Sequence, residues 1–309
     1  MKTDMGQKRM TEMERMRRRE QIRRKKKRRL YRKIKRFCVL GLILAVLAAA
    51  IGLLLFALKQ TGIFPRTKSY EIEAPKQRTD EEVRKKLEDM AKEHEEFQEV
   101  LDHYEDYPQV YLAALANNPE MLEYVLGYPD NSGKADGELT KKEKSEKYPL
   151  FIQWDQRWGY ASYGESSIGI SGCGPTCLSM VIFALTGNEG ATPDKIARFS
   201  ETQGYYVEGT GTAWALMTEG AASYGITGTE LSLDEDTMKK ELKAGHPIIC
   251  TVREGDFTAG GHFIMIYDYG KKGFSVNDPN CKERSERKWT YNDLKGQIKS
   301  LWSFQKGAE

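Results

Sequence analysis

The stretch SGCGPTCL at residues 171–178 decides how the chain is interpreted, because it places a thiol where a glycine-rich turn meets an apolar helix. The glycines beside Cys173 allow unusual dihedrals and close approach of a ligand, and Pro175 suits a first helical turn. Gly187 predicts the end of the helix. The apolar residues between these points recur at the spacing of a buried helix face: Leu178, Val181, Ile182 and Leu185.

Cys173 would lie at the N-terminus of this helix, which has two possible consequences. The free N–H groups and the positive end of the helix dipole favour thiolate over thiol, so the expected pKa is lowered and the residue is a candidate nucleophile. The alternative is a small cysteine that merely packs, which is the usual state of a buried thiol. The motif alone leaves both interpretations open.

Length and charge predict a globular unit with appendages. The chain has 309 residues, more than one average domain. Residues 1–37 contain 18 Lys or Arg and 4 Asp or Glu, a net charge of +14; since the whole chain carries +3, the remainder carries −11. Five cysteines are too few for a disulfide-built scaffold, so the fold must depend on a hydrophobic core.

Residues 38–58 form an uncharged, apolar run of 21 residues, long enough for a helix to cross a bilayer core of ~30 Å. The basic tail, residues 1–37, should stay cytoplasmic by the positive-inside rule, which places the C-terminal part outside the cell. A cleaved signal peptide is the competing interpretation, but no clear small-residue cleavage site follows. We therefore predict a single-pass membrane protein whose tail sets topology and contacts anionic lipid, with no nucleic-acid partner.

Residues 59–147 are predicted to form a helical stalk and linker. Thr79 and Glu82 match a capping box, which opens a charged helix running to about His103. Shorter helical patches follow to Gly127, separated by prolines, and residues 131–147 are polar and are interpreted as a linker. The region 79–130 is expected to pack on the next domain or to contact a partner.

From Tyr148 onward the composition becomes that of a folded core. After the Cys173 helix, cap and stop residues predict helices from Thr192, over 213–224 and over 234–244. Residues 247–252, 262–269 and 273–278 are rich in β-branched and aromatic residues and are predicted strands. Helices followed by strands indicate an α+β domain.

A cysteine nucleophile requires a base to take its proton and a third group to orient that base. His246 stands between a helix stop and a proline and most simply lines a turn. His262 begins an apolar strand after two glycines, and we favour it as the base for Cys173. Asp278 ends the next strand and could orient His262 if the two strands form a hairpin. Asn277 could do the same, but successive strand residues face opposite ways, so only one of them can.

The developing oxyanion needs hydrogen-bond donors, for which the backbone N–H of Cys173 is available. Gln153, a polar residue in the apolar, strand-like run 149–155, is the candidate side-chain donor. Taken alone, Gln153 is more often an exposed strand residue, and Asp278 before a proline is more often a turn former.

Four motifs, YPLFIQWDQRWG, GCGPTCLSMV, GGHFIMIYDY and FSVNDP, carry Gln, Cys, His and Asp in that order. Together they resemble the papain-like cysteine peptidases of the family that trims double-glycine leader peptides, and more closely its stand-alone C-thirty-nine-like branch. The resemblance implies a papain-like α+β domain over residues 148–309, with N-terminal helices and a C-terminal antiparallel sheet. It also implies that Cys173 is the nucleophile, His262 the base, Asp278 the orienting group and Gln153 the oxyanion donor.

The resulting hypothesis is a membrane-anchored, extracellular cysteine peptidase that acts on peptides or proteins and needs no metal or other cofactor. A single-membrane bacterium is the host that suits this arrangement. The alternatives are a catalytically silent module that binds peptides or a partner, and a related cell-wall amidase or transpeptidase. Cys177 should face the core, and Cys250 and Cys281, which flank the two strands, could form a disulfide outside the cell.

Overall fold

A computed structural model describes residues 70–307 and the isolated positions 23, 26, 27, 41 and 47. Apart from those isolated positions, the predicted membrane span, residues 38–58, and the basic tail lie outside the described residues. Within the part of the chain that is described, no helix has both the length and the apolar character needed to span a membrane. The described residues from Tyr70 onward belong to one compact unit.

The C-terminal half is built on an antiparallel sheet of six strands. From one edge to the other, the strands are Ile226–Glu230 (β5), Ile298–Lys306 (β10), Ile248–Val252 (β6), His262–Gly270 (β7), Gly273–Asn277 (β8) and Lys288–Trp289 (β9). Two two-stranded hairpins, β1-β2 and β3-β4, lie outside this sheet. In chain order the strands are β1 Ser162–Tyr163, β2 Ser166–Ser167, β3 Tyr206–Val207, β4 Gly211–Thr212, β5 Ile226–Glu230, β6 Ile248–Val252, β7 His262–Gly270, β8 Gly273–Asn277, β9 Lys288–Trp289 and β10 Ile298–Lys306.

The helices precede and flank this sheet. They are α1 Asp80–Glu93, α2 Gln98–Asp102, α3 Gln109–Asn117, α4 Leu122–Leu126, α5 Tyr128–Asn131, α6 Lys141–Ser145, α7 Ile168–Ser171, α8 Cys173–Thr186, α9 Pro193–Thr202, α10 Glu219–Ala222, α11 Glu235–Lys243, α12 Lys282–Glu286 and α13 Tyr291–Lys295. Short 3-10 turns occur at Glu95–Phe97, Tyr104–Asp106, Pro119–Met121 and Trp214–Met217. This order confirms the predicted mixture of helices and antiparallel sheet.

Helix α8 lies against one face of the sheet and α11 against the other. Alternate residues of β7 serve the two sides: Phe263 and Met265 join the core that contains α8, whereas Ile264 and Ile266 join the core that contains α11. This is the period-2 pattern of a strand buried on both faces. Helix α8 ends at Gly187 in the left-handed conformation (φ 69°), as its sequence predicts.

The helical region, residues 79–131, packs on its own chain. Its buried residues share one cluster with Ile152, Trp154 and Tyr160 from the start of the predicted catalytic domain. Tyr124 donates a hydrogen bond to the Gly159 carbonyl at 3.0 Å and stacks on Tyr160 with ring centroids 4.7 Å apart. The apolar stripe of this region, which we considered as a partner surface, is therefore covered by the same protein.

Two features of this region differ from the prediction. The capping box of Thr79 and Glu82 is present, but α1 ends at Glu93 rather than near His103, since His94 is extended. The break lets Phe97 turn fully into the core. The predicted linker contains helix α6, whose Glu143 accepts hydrogen bonds at 2.7 and 2.9 Å from Arg157, so this part of it is tied to the domain.

The later part of the domain also departs from the prediction. Residues 213–224 form a 3-10 turn and the short helix α10 instead of one helix, and the two elements meet at Thr218 (φ −113°, ψ −75°). Strands β5 and β10 were not predicted. The β5 sequence ITGTE has one buried residue, Ile226, and so lacks an apolar pattern.

We predict that Leu112→Ala destabilises the domain by roughly 2–5 kcal/mol, because Leu112 is buried in the cluster shared by the helical region and the catalytic domain. Thermal unfolding followed by circular dichroism and by tryptophan fluorescence should shift together. Val110→Ala on the same helix is the control: this side chain is 46% exposed, and the change should stay within about 0.5 kcal/mol. A separate early transition of the helices would contradict the shared core.

Candidate active site

Cys173 is the first residue of α8, as its sequence predicts, and its side chain is partly exposed. The backbone N–H groups of the first helical turn have no partners within the helix. The backbone N–H groups of Gly174 and of Phe263 on β7 help to lower the pKa of the Cys173 thiol. The thiol therefore lies between a helix N-terminus and the sheet.

The flanking glycines act by their small size rather than by unusual dihedrals. Gly172 has φ −87°, a value open to any residue. A Cβ at Gly172 would lie 2.6 Å from the Ile168 carbonyl oxygen, and one at Gly174 would lie 2.8 Å from the Thr212 side chain. The two glycines thus let α7 and the β3-β4 hairpin pack directly against the start of α8.

His262 stands at the first position of β7, between Cys173 and Asp278. Its Nε2 atom is 2.8 Å from Oδ1 of Asp278. The imidazole shares a cleft with the Cys173 thiol, and the two side chains shift each other's pKa. Because Nε2 is engaged by the carboxylate, Nδ1 is the ring nitrogen left to interact with the sulfur.

The charges of this chain support one another in a buried site. Burial raises the pKa of the Cys173 thiol, but the hydrogen bond and charge of His262 and the N–H groups of Phe263 and Gly174 outweigh it, so the pKa lies below its usual value. Burial lowers the pKa of His262, yet Asp278 and Cys173 raise it to about 9. The arrangement favours a thiolate beside an imidazolium.

Strand alternation decides between the two candidate orienting residues. The hairpin of β7 and β8 pairs Met265 with Asn277. Asn277 donates to the carbonyl oxygens of Tyr148 and Pro149, at 3.3 and 3.1 Å, whereas Asp278 meets His262. The two neighbours point to different surroundings, as the geometry of a strand requires.

Arg284 was not singled out from the sequence and lies at the far side of Asp278. Its Nη1 atom donates to Oδ2 of Asp278 at 2.9 Å and to the Phe257 carbonyl at 3.2 Å. Burial raises the pKa of the Asp278 carboxyl, but His262 and then Arg284 lower it below the usual range. Arg284 belongs to the charged run KERSER, which from sequence alone resembles exposed surface.

Gln153 is buried, but the run 149–155 is extended chain and turn rather than a strand. Its Nε2 atom donates to the Gly169 carbonyl at 2.9 Å, in the short helix that leads into Cys173. Its Oε1 atom has no hydrogen-bond partner among the described residues. Gln153 is not one of the described residues that line the cleft at Cys173, and its role as oxyanion donor stays a prediction.

Cys173 and His262 open into a cleft of about 470 Å³. Residues of the β3-β4 hairpin line it, and the Trp214 side chain beside them is 44% exposed. The ammonium group of Lys299 on β10 lies 5.8 Å from the centre of that ring. The cleft thus contains an exposed aromatic ring and a cation as well as the thiol. The sequence around Trp214 and Lys299 does not predict that either residue lines a cleft.

The remaining described cysteines are buried free thiols. Cys177 packs in the core beneath α8, as predicted, and burial raises its pKa. Cys250 lies inside the sheet core, whereas Cys281 caps α12 and accepts a hydrogen bond from the Arg284 N–H. The proposed disulfide between Cys250 and Cys281 is therefore absent from the structure, because the two residues serve separate packing roles.

A thiol, an imidazole beside it and a carboxylate that orients the imidazole are the groups that nucleophilic catalysis by cysteine requires. The model of the Peptidase_C39 like family matches residues 145–308, just over half of the chain, and the protein belongs to this family. The resemblance inferred from the four motifs is thereby confirmed.

Among solved structures, the chain is similar to the peptidase domain of Streptococcus ComA, a bi-functional ABC transporter involved in a quorum sensing pathway. The sequence identity is 18% and the TM-score is 0.37, over 52% of this chain and 99% of that chain. A search of curated proteins finds no match.

We predict that Cys173 reacts with iodoacetamide at about pH 6 far faster than the buried cysteines, because its pKa is lowered. His262→Ala should slow this reaction about tenfold or more, since one unit of pKa changes the thiolate fraction tenfold at low pH. The rate is measured on the full chain by mass spectrometry of the Cys173 peptide.

The matched control for this experiment is His246→Ala. His246 is a half-buried histidine whose Nδ1 atom is 2.8 Å from Oε2 of Glu241, so it already has a partner outside the site. This variant should leave the Cys173 rate unchanged. Equal slowing in both variants would show that His262 has no specific effect on the thiol.

Proposed function

We propose that this protein is a cysteine peptidase that hydrolyses peptide bonds of peptide or protein substrates through Cys173, His262 and Asp278. Membership of a peptidase-like family supports the reaction class. The observation that carries the proposal is the position of His262, which contacts Asp278 through Nε2 at 2.8 Å and lines the same cleft as the Cys173 thiol, whose pKa it lowers.

In the acylation step, the Cys173 thiolate attacks the carbonyl carbon of the scissile amide and a carbon–sulfur bond forms. The imidazolium of His262 then gives its proton to the leaving nitrogen as the carbon–nitrogen bond breaks. The products are a free amine and a thioester on Cys173. The Asp278 carboxylate keeps the imidazole in the orientation that directs Nδ1 at the reaction.

In the deacylation step, neutral His262 takes a proton from water, and the hydroxide adds to the thioester carbon. Breakage of the carbon–sulfur bond releases the carboxylic acid and restores the thiolate beside the imidazolium. In this proposal the Cys173 N–H at the helix N-terminus donates a hydrogen bond to the negative oxygen in both steps. Gln153 is the proposed second donor.

We further propose that residues 38–58 anchor the enzyme in a membrane with residues 1–37 in the cytoplasm and the peptidase domain outside. The support is the 21-residue uncharged run preceded by a net charge of +14. A peptidase held in this way would act on substrates at the outer cell surface.

The peptidase activity predicts that the full chain cleaves members of a mixture of unstructured peptides, and that Cys173→Ala abolishes cleavage. Products made in ¹⁸O-labelled water should carry the label in the new carboxyl group, because water resolves the thioester. Ligated peptides without label would instead indicate transpeptidation. Peptides retained but left intact would support the binding module. Cys250→Ala, which removes a thiol from the sheet core, is the control and should keep activity.

The proposed topology predicts that a protease added to intact cells removes the C-terminal domain while the basic tail remains. Antibodies against each end of the chain report the outcome on a gel. A cytoplasmic protein should stay intact in the same sample, which controls for lysis. Protection of the C-terminal domain would rule out the proposed orientation.

A further inference from the structure

The catalytic carboxylate is held by the short segment that follows it, residues 279–286. The Asn280 N–H donates to Oδ1 of Asp278 at 2.8 Å, and the Asp278 N–H donates to the Ser285 hydroxyl at 2.9 Å. Arg284 on α12 donates to the second carboxylate oxygen at 2.9 Å. Both oxygens of Asp278 therefore have partners from this segment.

The helical region in turn holds this segment. The Glu120 carboxylate accepts the backbone N–H groups of Lys282 at 2.7 Å and Glu283 at 3.2 Å, the first two residues of α12. Asn118, which is fully buried, donates through Nδ2 to the Asn280 carbonyl. Its Oδ1 atom accepts a hydrogen bond from the Glu120 N–H at 3.1 Å, so Asn118 and Glu120 also hold each other in position.

Arg284 is an unusual side chain to bury, since only 4% of it is exposed. Its Nη2 atom has no hydrogen-bond partner among the described residues, although burial of an unpaired donor costs free energy. A guanidinium kept there at such a cost indicates that its charge beside Asp278 has a use.

Asp278 is surrounded by a small set of titratable and charged groups. His262 faces it from β7, Arg284 and Cys281 from the segment at α12, and Cys177 from α8. Glu120 faces Arg284 from the other side. Of these groups, His262 and Arg284 are the cations that favour the charged carboxylate.

We infer that Arg284 is a positioning residue for the Cys173–His262–Asp278 site and that Asn118 and Glu120 of the helical region hold it in place. This inference rests on the proposed function. The helical region then contributes to the active site, because a shift of residues 118–120 would move α12 and weaken the contact between Arg284 and the Asp278 carboxylate.

The charge of Arg284 should affect the pH dependence of the site, which a purely structural ion pair would not do. Without the charge of Arg284, the Asp278 pKa rises, and the carboxylate takes up a proton at a higher pH as the solution is acidified. The imidazolium then loses its support, and the thiolate is lost with it. If the ion pair only stabilised the fold, its removal would lower the rate of Cys173 alkylation by the same factor at every pH.

The test measures alkylation of Cys173 by iodoacetamide against pH in the full chain, beside thermal stability. Arg284→Met should move the acid limb of the profile to higher pH, with a loss of about tenfold near the wild-type midpoint if the shift is one unit. Arg284→Lys keeps the charge and should keep the limb, with a lower plateau. Glu120→Gln should move the limb in the same direction as Arg284→Met, by less.

The control is Glu105→Gln, since the exposed Glu105 lies in the helical region 4.0 Å from Arg84 and should change nothing. In the Arg284→Met background, Glu120→Gln should produce no further shift, because both act through one contact. If Arg284→Met does not fold, Glu120→Gln against Glu105→Gln decides the matter.

Three results would overturn the inference. An unmoved acid limb in Arg284→Met removes the role of Arg284. A shift in Arg284→Met without one in Glu120→Gln removes the role of the helical region. A wild-type Cys173 that shows no thiolate at low pH overturns the proposed function itself, and the inference with it.

Discussion

The contact between His262 and Asp278 is the interaction on which the site depends. A thiolate in a partly closed site is costly unless a cation compensates it, and an imidazolium is equally costly without an anion. The 2.8 Å contact with the carboxylate orients the imidazole and raises its pKa, and the imidazole in turn lowers the pKa of the thiol. Each of the three groups thus stabilises the charge of its neighbour.

The fold brings these groups together from three separate elements. Helix α8 delivers Cys173 with the N–H groups of its first turn, β7 delivers His262, and the end of β8 delivers Asp278. The sheet is buried on both faces, which fixes the register of the hairpin and hence the distance between base and carboxylate. The helical region adds a further support from outside the sheet.

The sequence was informative where local chemistry decides the structure. The glycine and proline pattern around Cys173 located the helix N-terminus, and strand alternation showed that only one of Asp278 and Asn277 can face His262. It was uninformative where tertiary contacts decide. Arg284 sits in a charged run that looks exposed, yet it is buried against Asp278 and the Phe257 carbonyl, and its helix begins on a Glu120 carboxylate 162 residues before Lys282 in the chain. The Gln153 amide likewise donates to the Gly169 carbonyl, a contact that no local sequence pattern predicts.

The most direct test of the account is the protonation of His262, measured by NMR on protein with labelled histidines, of which the chain has only four. The account predicts that His262 titrates with a pKa of about 9, and that Cys173→Ala lowers this pKa because the thiolate partner is lost. A His262 that titrates near the ordinary histidine value of about 6.5, unchanged in Cys173→Ala, would contradict it.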